Sequence, residues 1–172
     1  MEENNKNICV IPGTFDPVTN GHMDLIIRAV PLFWRIYVVS FVNSTKKAMF
    51  APDERKKMLE LACGEIDGGE KIAVEATKAL LADYASSKNA GFIIKGARNT
   101  IDYEYEYMQS VINREIGGNI DTLILPAKPE YAHMSSTFVR EMIAYGKDIS
   151  GMVPEKVRPY LHDILKTKKT RT

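Results

Sequence analysis

Ile8–Pro12 (ICVIP) runs directly into Gly13–His22 (GTFDPVTNGH). The unbroken apolar run has the pattern of a strand buried on both faces, as in a parallel sheet covered by helices on each side. The residues that follow are small or turn-forming, so the backbone there can approach a ligand closely. Asn20 is placed to cap a helix whose first turn holds His22. Unpaired amides at such a helix start favour phosphate. The loop is neither a GxxxxGK[ST] phosphate loop nor a GxGxxG dinucleotide turn. Taken alone, His22 reads as a surface or capping histidine.

Further apolar runs at Arg35–Phe41, Lys71–Glu75, Phe92–Lys95 and Asp121–Pro126 alternate with helical patterns. These patterns span roughly Asn20–Phe33, Pro52–Cys63, Thr77–Ser87, Ile101–Ile116 and Ser136–Tyr145. Strand followed by helix, repeated, predicts an α/β fold: a Rossmann-like, doubly wound, parallel five-stranded sheet in a single domain over 1–172. In the fourth helix Ile101, Tyr105, Met108, Ile112 and Ile116 recur at helical spacing, predicting an apolar face turned to the sheet. Pro154 is expected as the first residue of a final helix. Residues 1–7 read as a polar extension and 166–172 as a solvated basic tail. In such a sheet the ligand crevice lies at the carboxyl ends of the strands.

The chain has 172 residues, 45% of them hydrophobic, enough for one substantial core. Its 23 basic and 22 acidic residues leave a formal net charge of +1. No global field therefore marks a nucleic-acid or membrane partner, and the expected partner is small. The N-terminus lacks a signal-peptide pattern and no apolar run is long enough to span a bilayer, so the expected compartment is the cytoplasm. Cys9 and Cys63 belong to no CxxC or Cys/His cluster and read as buried free thiols.

The loops at the expected crevice carry the chemistry. Lys46, on the Asn43–Phe50 loop, is suited to neutralising a phosphate oxygen. Lys95 and Arg98 flank Gly96, placing two cations beside a position of close backbone approach. Glu106 falls off the apolar face of its helix and by spacing alone reads as a solvated glutamate. Ser135, Ser136 and Thr137 open a helix, where hydroxyls cap amides or bind phosphate oxygens.

GTFDPVTNGH resembles the GTFDPxxxGH form of the T/HxGH signature of the nucleotidyltransferase superfamily. Aminoacyl-tRNA synthetases share a related element but are much longer chains. Lys46-Lys47-Ala48-Met49-Phe50, Lys95-Gly96-Ala97-Arg98 with Tyr103-Glu104-Tyr105-Glu106, and Met134-Ser135-Ser136-Thr137 complete a set that resembles the bacterial phosphopantetheine adenylyltransferases, from about Ile8 to about Pro154. The resemblance implies transfer of the adenylyl group of ATP to 4′-phosphopantetheine, by direct in-line displacement, giving dephospho-coenzyme A and pyrophosphate. It implies that Thr14, His22 and Lys46 are catalytic, and that Thr14, Lys46, Leu81 and Lys95 bind the acceptor. Thr14, Phe15, His22, Gly96, Ala97, Arg98, Glu106 and the Tyr131–Thr137 loop (with Ala132, His133, Met134, Ser135 and Ser136) would bind ATP. Mg2+ is expected to accompany ATP without protein ligands. The family further implies a hexamer and feedback inhibition by coenzyme A. Where it usually has arginine this chain has Lys95, whose compact ammonium cannot reproduce a bidentate fork, implying altered acceptor binding.

Other readings stand beside this one. A sister enzyme would act on nicotinamide mononucleotide with ATP, or on glycerol 3-phosphate with CTP; the lysine loop and the Tyr-Glu-Tyr-Glu segment weigh against it. A nucleotide-binding regulator could use the same fold, although His22 and Lys46 together favour catalysis. A flavodoxin-like carrier would need a flavin phosphate loop, and none is found.

Overall fold

A computed structural model describes residues 7–42 and 48–170, apart from the side chains of residues 169 and 170. Five strands, β1 (Ile8–Gly13), β2 (Arg35–Phe41), β3 (Ile72–Thr77), β4 (Phe92–Ala97) and β5 (Asp121–Pro126), form one sheet. The strand order is β3-β2-β1-β4-β5 and every pairing is parallel. Because β1 is central, Val10 lies opposite both Tyr37 and Ile93.

Alternation along the strands divides the core in two. Cys9 and Ile11 of β1, Ile36 and Val38 of β2 and Ile94 of β4 face one layer, while Val10, Val39 and Ile93 face the other. This two-sided burial explains why the central strands read as continuous apolar runs. Helices α1 (Asn20–Ala29), α2 (Pro52–Cys63), α3 (Leu81–Ser87), α4 (Thr100–Gly117), α5 (Ser136–Ala144) and α6 (Val157–Thr170) complete the element order. The first layer is filled from α1, α2 and α6, through residues such as Ile26, Met58 and Leu161. The second is closed by Tyr84 and Ala85 of α3. Cys9 and Cys63 are buried free thiols whose pKa is pushed up to about 12 by burial.

The doubly wound sheet agrees with the sequence expectation; several boundaries and one helix face do not. Helix α1 stops at Ala29 because Pro31 lacks the N–H needed to continue to Phe33. Its cap is Thr19, not Asn20. Thr77 pairs with Phe41 in the sheet, so the helix expected from Thr77 begins only at Leu81. The Pro154 carbonyl accepts the Val157 amide at 3.0 Å, closing a turn that leads into α6 instead of its first residue. The apolar stripe of α4 faces outward: Ile101 is 78% exposed, and Tyr105, Met108, Ile112 and Ile116 are all exposed. The helix turns Glu106 and Asn113 inward, a polar face that sits over the rim of the sheet. Helix α6 runs into the basic tail as far as Thr170, and Lys166 and Thr167 are exposed there.

Gly13 ends β1 beneath the ring of Phe15, and a Cβ there would stand 2.8 Å from Phe15 Cζ. Phe15 is 2% exposed and cannot swing into solvent without opening the core. Gly13→Ala should therefore cost about 1–3 kcal/mol of stability, read from the shift of the urea unfolding midpoint. An unchanged midpoint would show that the ring has room to move.

Candidate active site

Strands β1 and β4 are neighbours, but their connections leave in opposite directions, one to β2 and the other to β5. The divergence opens a crevice at their carboxyl ends, as expected at a topological switch point. The crevice has a volume of about 340 Å3 and is walled by the loop after β1, the start of α1, the end of β4, the inner face of α4 and the loop after β5.

The loop after β1 is held rigidly. Phe15 has a left-handed φ of 49°, unusual for a non-glycine residue and sustained by its surroundings. The buried Asp16 carboxylate accepts the amides of Met49 and Phe50, each at 2.9 Å. Arg140 of α5 donates to the Asp16 carbonyl at 2.6 Å. The Thr14 carbonyl accepts from the buried Arg55 guanidinium at 2.8 Å and from Ser40 Oγ at 3.3 Å, while the Thr14 side chain stays exposed at the crevice.

His22 is oriented by the helix it helps to start. Its Nδ1 accepts the Thr19 amide at 3.0 Å, and the Thr19 hydroxyl accepts the His22 amide at 3.3 Å. This is a capping box in which histidine takes the place of the usual glutamate. With Nδ1 accepting, the neutral ring carries its proton on Nε2, so it presents a donor. Burial, reinforced by the positive charge of Arg98, lowers the His22 pKa to about 4. The ring also meets Phe15 edge-on, with centroids 5.0 Å apart.

The remaining walls are charged and internally compensated. Lys95 Nζ lies 2.8 Å from Glu106 Oε2, with side chains only 19% and 15% exposed. That oxygen has no hydrogen bond of good angle, so the contact is ionic in character. Arg98 binds Asp102 through Nε at 2.7 Å and Nη2 at 3.2 Å, holding the Asp102 carboxyl below its usual range. Asp24 pairs with Arg28 at 3.1 Å and Lys128 at 2.7 Å. At the start of α5, Ser135 Oγ caps the Phe138 amide at 3.0 Å and Ser136 donates to the Pro17 carbonyl at 2.7 Å. Two helix starts, those of α1 and α5, thus line one crevice with nearby cations, an arrangement suited to binding polyanions.

A cytidylyltransferase-like family model matches residues 10–142. The chain is 40% identical over 153 residues to a phosphopantetheine adenylyltransferase of Leptospira biflexa, covering 88% of this chain and 93% of the relative. It is 42% identical over 156 residues to that of Desulfosudis oleivorans, covering 91% of each. The chain belongs to the phosphopantetheine adenylyltransferase family. The fold is also that of the nicotinic acid mononucleotide adenylyltransferase of Plasmodium falciparum, solved with NaAD, at a TM-score of 0.68 and 16% identity over 93% of this chain and 96% of that one.

Of the residues that the sequence singles out for this adenylyltransferase family, Thr14, Phe15, His22, Lys95, Gly96, Arg98, Glu106, Tyr131, Met134, Ser135 and Ser136 line the crevice together. Ala97, Ala132, His133 and Thr137 adjoin lining residues without lining it themselves. Leu81 packs partly buried in the second core layer, with Val10, Val39 and Ile93. Lys46 lies outside the described residues. Glu106 is not the solvated glutamate its spacing implied, because α4 turns the opposite face to the sheet. Sequence reasoning missed Asp24, Arg28 and Thr19, which also line the crevice. Asp24 and Arg28 follow Gly21 of the GTFDPVTNGH stretch at i+3 and i+7 on α1, so helical periodicity counted from Gly21 was the available signal.

The depressed His22 pKa has a definite sign in stability. The unfolded chain takes up a proton near the ordinary value of 6.5, the folded chain only near about 4. Stability should therefore fall as pH drops from about 6.5 to about 4. Nitrogen-detected NMR of the histidine rings should show His22 protonated on Nε2 and unchanged from pH 8 to about 5. A midpoint near 6.5, or a proton on Nδ1, would overturn the assignment.

Proposed function

We propose that this protein transfers the adenylyl group of ATP to 4′-phosphopantetheine, forming dephospho-coenzyme A and pyrophosphate. The observation that carries this reading is His22, held through its Nδ1 by the Thr19 amide in a crevice shared with Lys95, Arg98 and the start of α5. An oxygen of the 4′-phosphate bonds to the α-phosphorus of ATP in line with the departing group. The bond to the bridging oxygen breaks, and its electron pair leaves with pyrophosphate. The attacking phosphate is already anionic, so no general base or covalent intermediate is required. Catalysis then rests on bringing two anions together and on donors aimed at charge growing on the α-phosphate.

In this scheme His22 and Lys46 stabilise that charge, Thr14 orients the attacking phosphate, and Lys95 and Leu81 serve the acceptor. Phe15, Gly96, Ala97, Arg98, Glu106 and Tyr131–Thr137 hold the nucleotide. The crevice carboxylates Asp24 and Glu106 are already matched by cations, and among the described residues no three metal-ligating side chains come together. Mg2+ would enter as part of the nucleotide substrate, held mainly by phosphates and water. No helix of the described residues is long and apolar enough to cross a membrane, and a cytoplasmic site suits both substrates. Coenzyme A, which shares the phosphopantetheine arm, would compete for the same crevice.

The exposed stripe Ile101, Tyr105, Met108 and Ile112 supports a homo-oligomer, a hexamer by analogy with the family. Light scattering should report a multiple of the chain mass, reduced by Ile112→Glu; a monomeric wild-type protein would remove this part of the reading.

Pyrophosphate release from Mg-ATP should require 4′-phosphopantetheine and fail with nicotinamide mononucleotide or no acceptor. His22→Ala should lower turnover roughly a hundredfold to a thousandfold. Release with another acceptor would reassign the substrate, and ATP binding without turnover on any acceptor would sink the mechanism.

A further inference from the structure

We infer that Lys168, in the last turn of the C-terminal helix, is a positioning residue for adenylyl transfer, acting through the Met49–Ala51 segment on the loop that carries Thr14. The inference rests on the function proposed above. Lys168 Nζ donates to the Met49 carbonyl at 2.8 Å and to Glu54 Oε2 at 2.8 Å, and stands 4.8 Å from the centroid of the Phe50 ring. The same Glu54 oxygen accepts the Ala51 amide at 2.7 Å, closing the start of α2. Met49 is thus gripped from two sides, its carbonyl by Lys168 and its amide by Asp16.

Asp16 is the link to chemistry. Its carboxylate is shared between the amides of Met49 and Phe50, it follows Phe15, whose ring meets His22, and it is two residues after Thr14. If the Met49–Phe50 segment shifts, the buried carboxylate must follow it or lose its donors, and an unpaired buried carboxylate is costly. Displacement therefore passes to the loop after β1. In sequence, Lys46 lies three residues before Met49. No pattern in the sequence signals this contact, which joins positions 119 residues apart.

The Lys168–Glu54 pair is partly exposed, at 39% and 24%, and such pairs add little to global stability. Lys168→Met should accordingly leave the protein folded, while small misplacements of reacting groups can cost large factors in rate. In Lys168→Met we expect the Met49 and Phe50 amides to exchange hydrogen faster than in wild type. Turnover should fall about tenfold while the Kd for a non-hydrolysable ATP analogue stays within about twofold. Lys168→Arg, which can reach both acceptors, should recover most of the rate. Lys156→Met, which breaks a surface pair with Glu65, should change none of these. Unchanged exchange at Met49 and Phe50, or unchanged turnover in Lys168→Met, would overturn the inference. A wild-type protein inactive on phosphopantetheine would overturn the functional reading instead, and the exchange rates would still decide whether Lys168 holds the segment.

Discussion

Burial of β1 on both faces is the constraint from which the rest follows. Its residues fill one core layer with Cys9 and Ile11 and the other with Val10, so helices must cover both sides. Connections on opposite sides in turn force the split between β1 and β4, and the split is the crevice. The residues that end β1 consequently stand at the one position where the backbone is both central and uncovered. Gly13 fits there because the Phe15 ring occupies the space a side chain would need.

The crevice is highly charged yet internally balanced. Lys95 is matched by Glu106, Arg98 by Asp102, and Asp24 by Arg28 and Lys128. Phosphates entering it must take over cations already engaged with carboxylates, which tempers affinity and favours ligands that offer several anionic oxygens at once. His22 differs. Burial keeps it neutral, so it contributes a directed hydrogen bond without adding a further positive charge beside Arg98.

Much of this was legible in the sequence, and the reasons for the rest are physical. The sheet was legible because buried parallel strands write unbroken apolar runs, and the crevice loops because glycine, histidine and paired cations stand out after such runs. The face of α4 was not. Periodicity shows that Ile101, Tyr105, Met108, Ile112 and Ile116 share a side, but not which body that side meets. Glu106 was misread for the same reason, since inverting the helix brings it against Lys95. The Thr19 cap was hidden by Asn20, an intrinsically better capping residue one position later. Contacts such as Arg55 with Thr14 join residues far apart in the chain and have no local pattern.

Helix α4 carries Glu106 on its inner side and, on the adjoining positions, the exposed Tyr105 and Met108. The two surfaces belong to one rigid rod, and a rod cannot roll on one side alone. A body on Tyr105 and Met108 that favours one placement of the rod would therefore be coupled to any ligand whose affinity depends on where Glu106 sits, and such coupling is reciprocal: each changes the other's binding constant by the same factor.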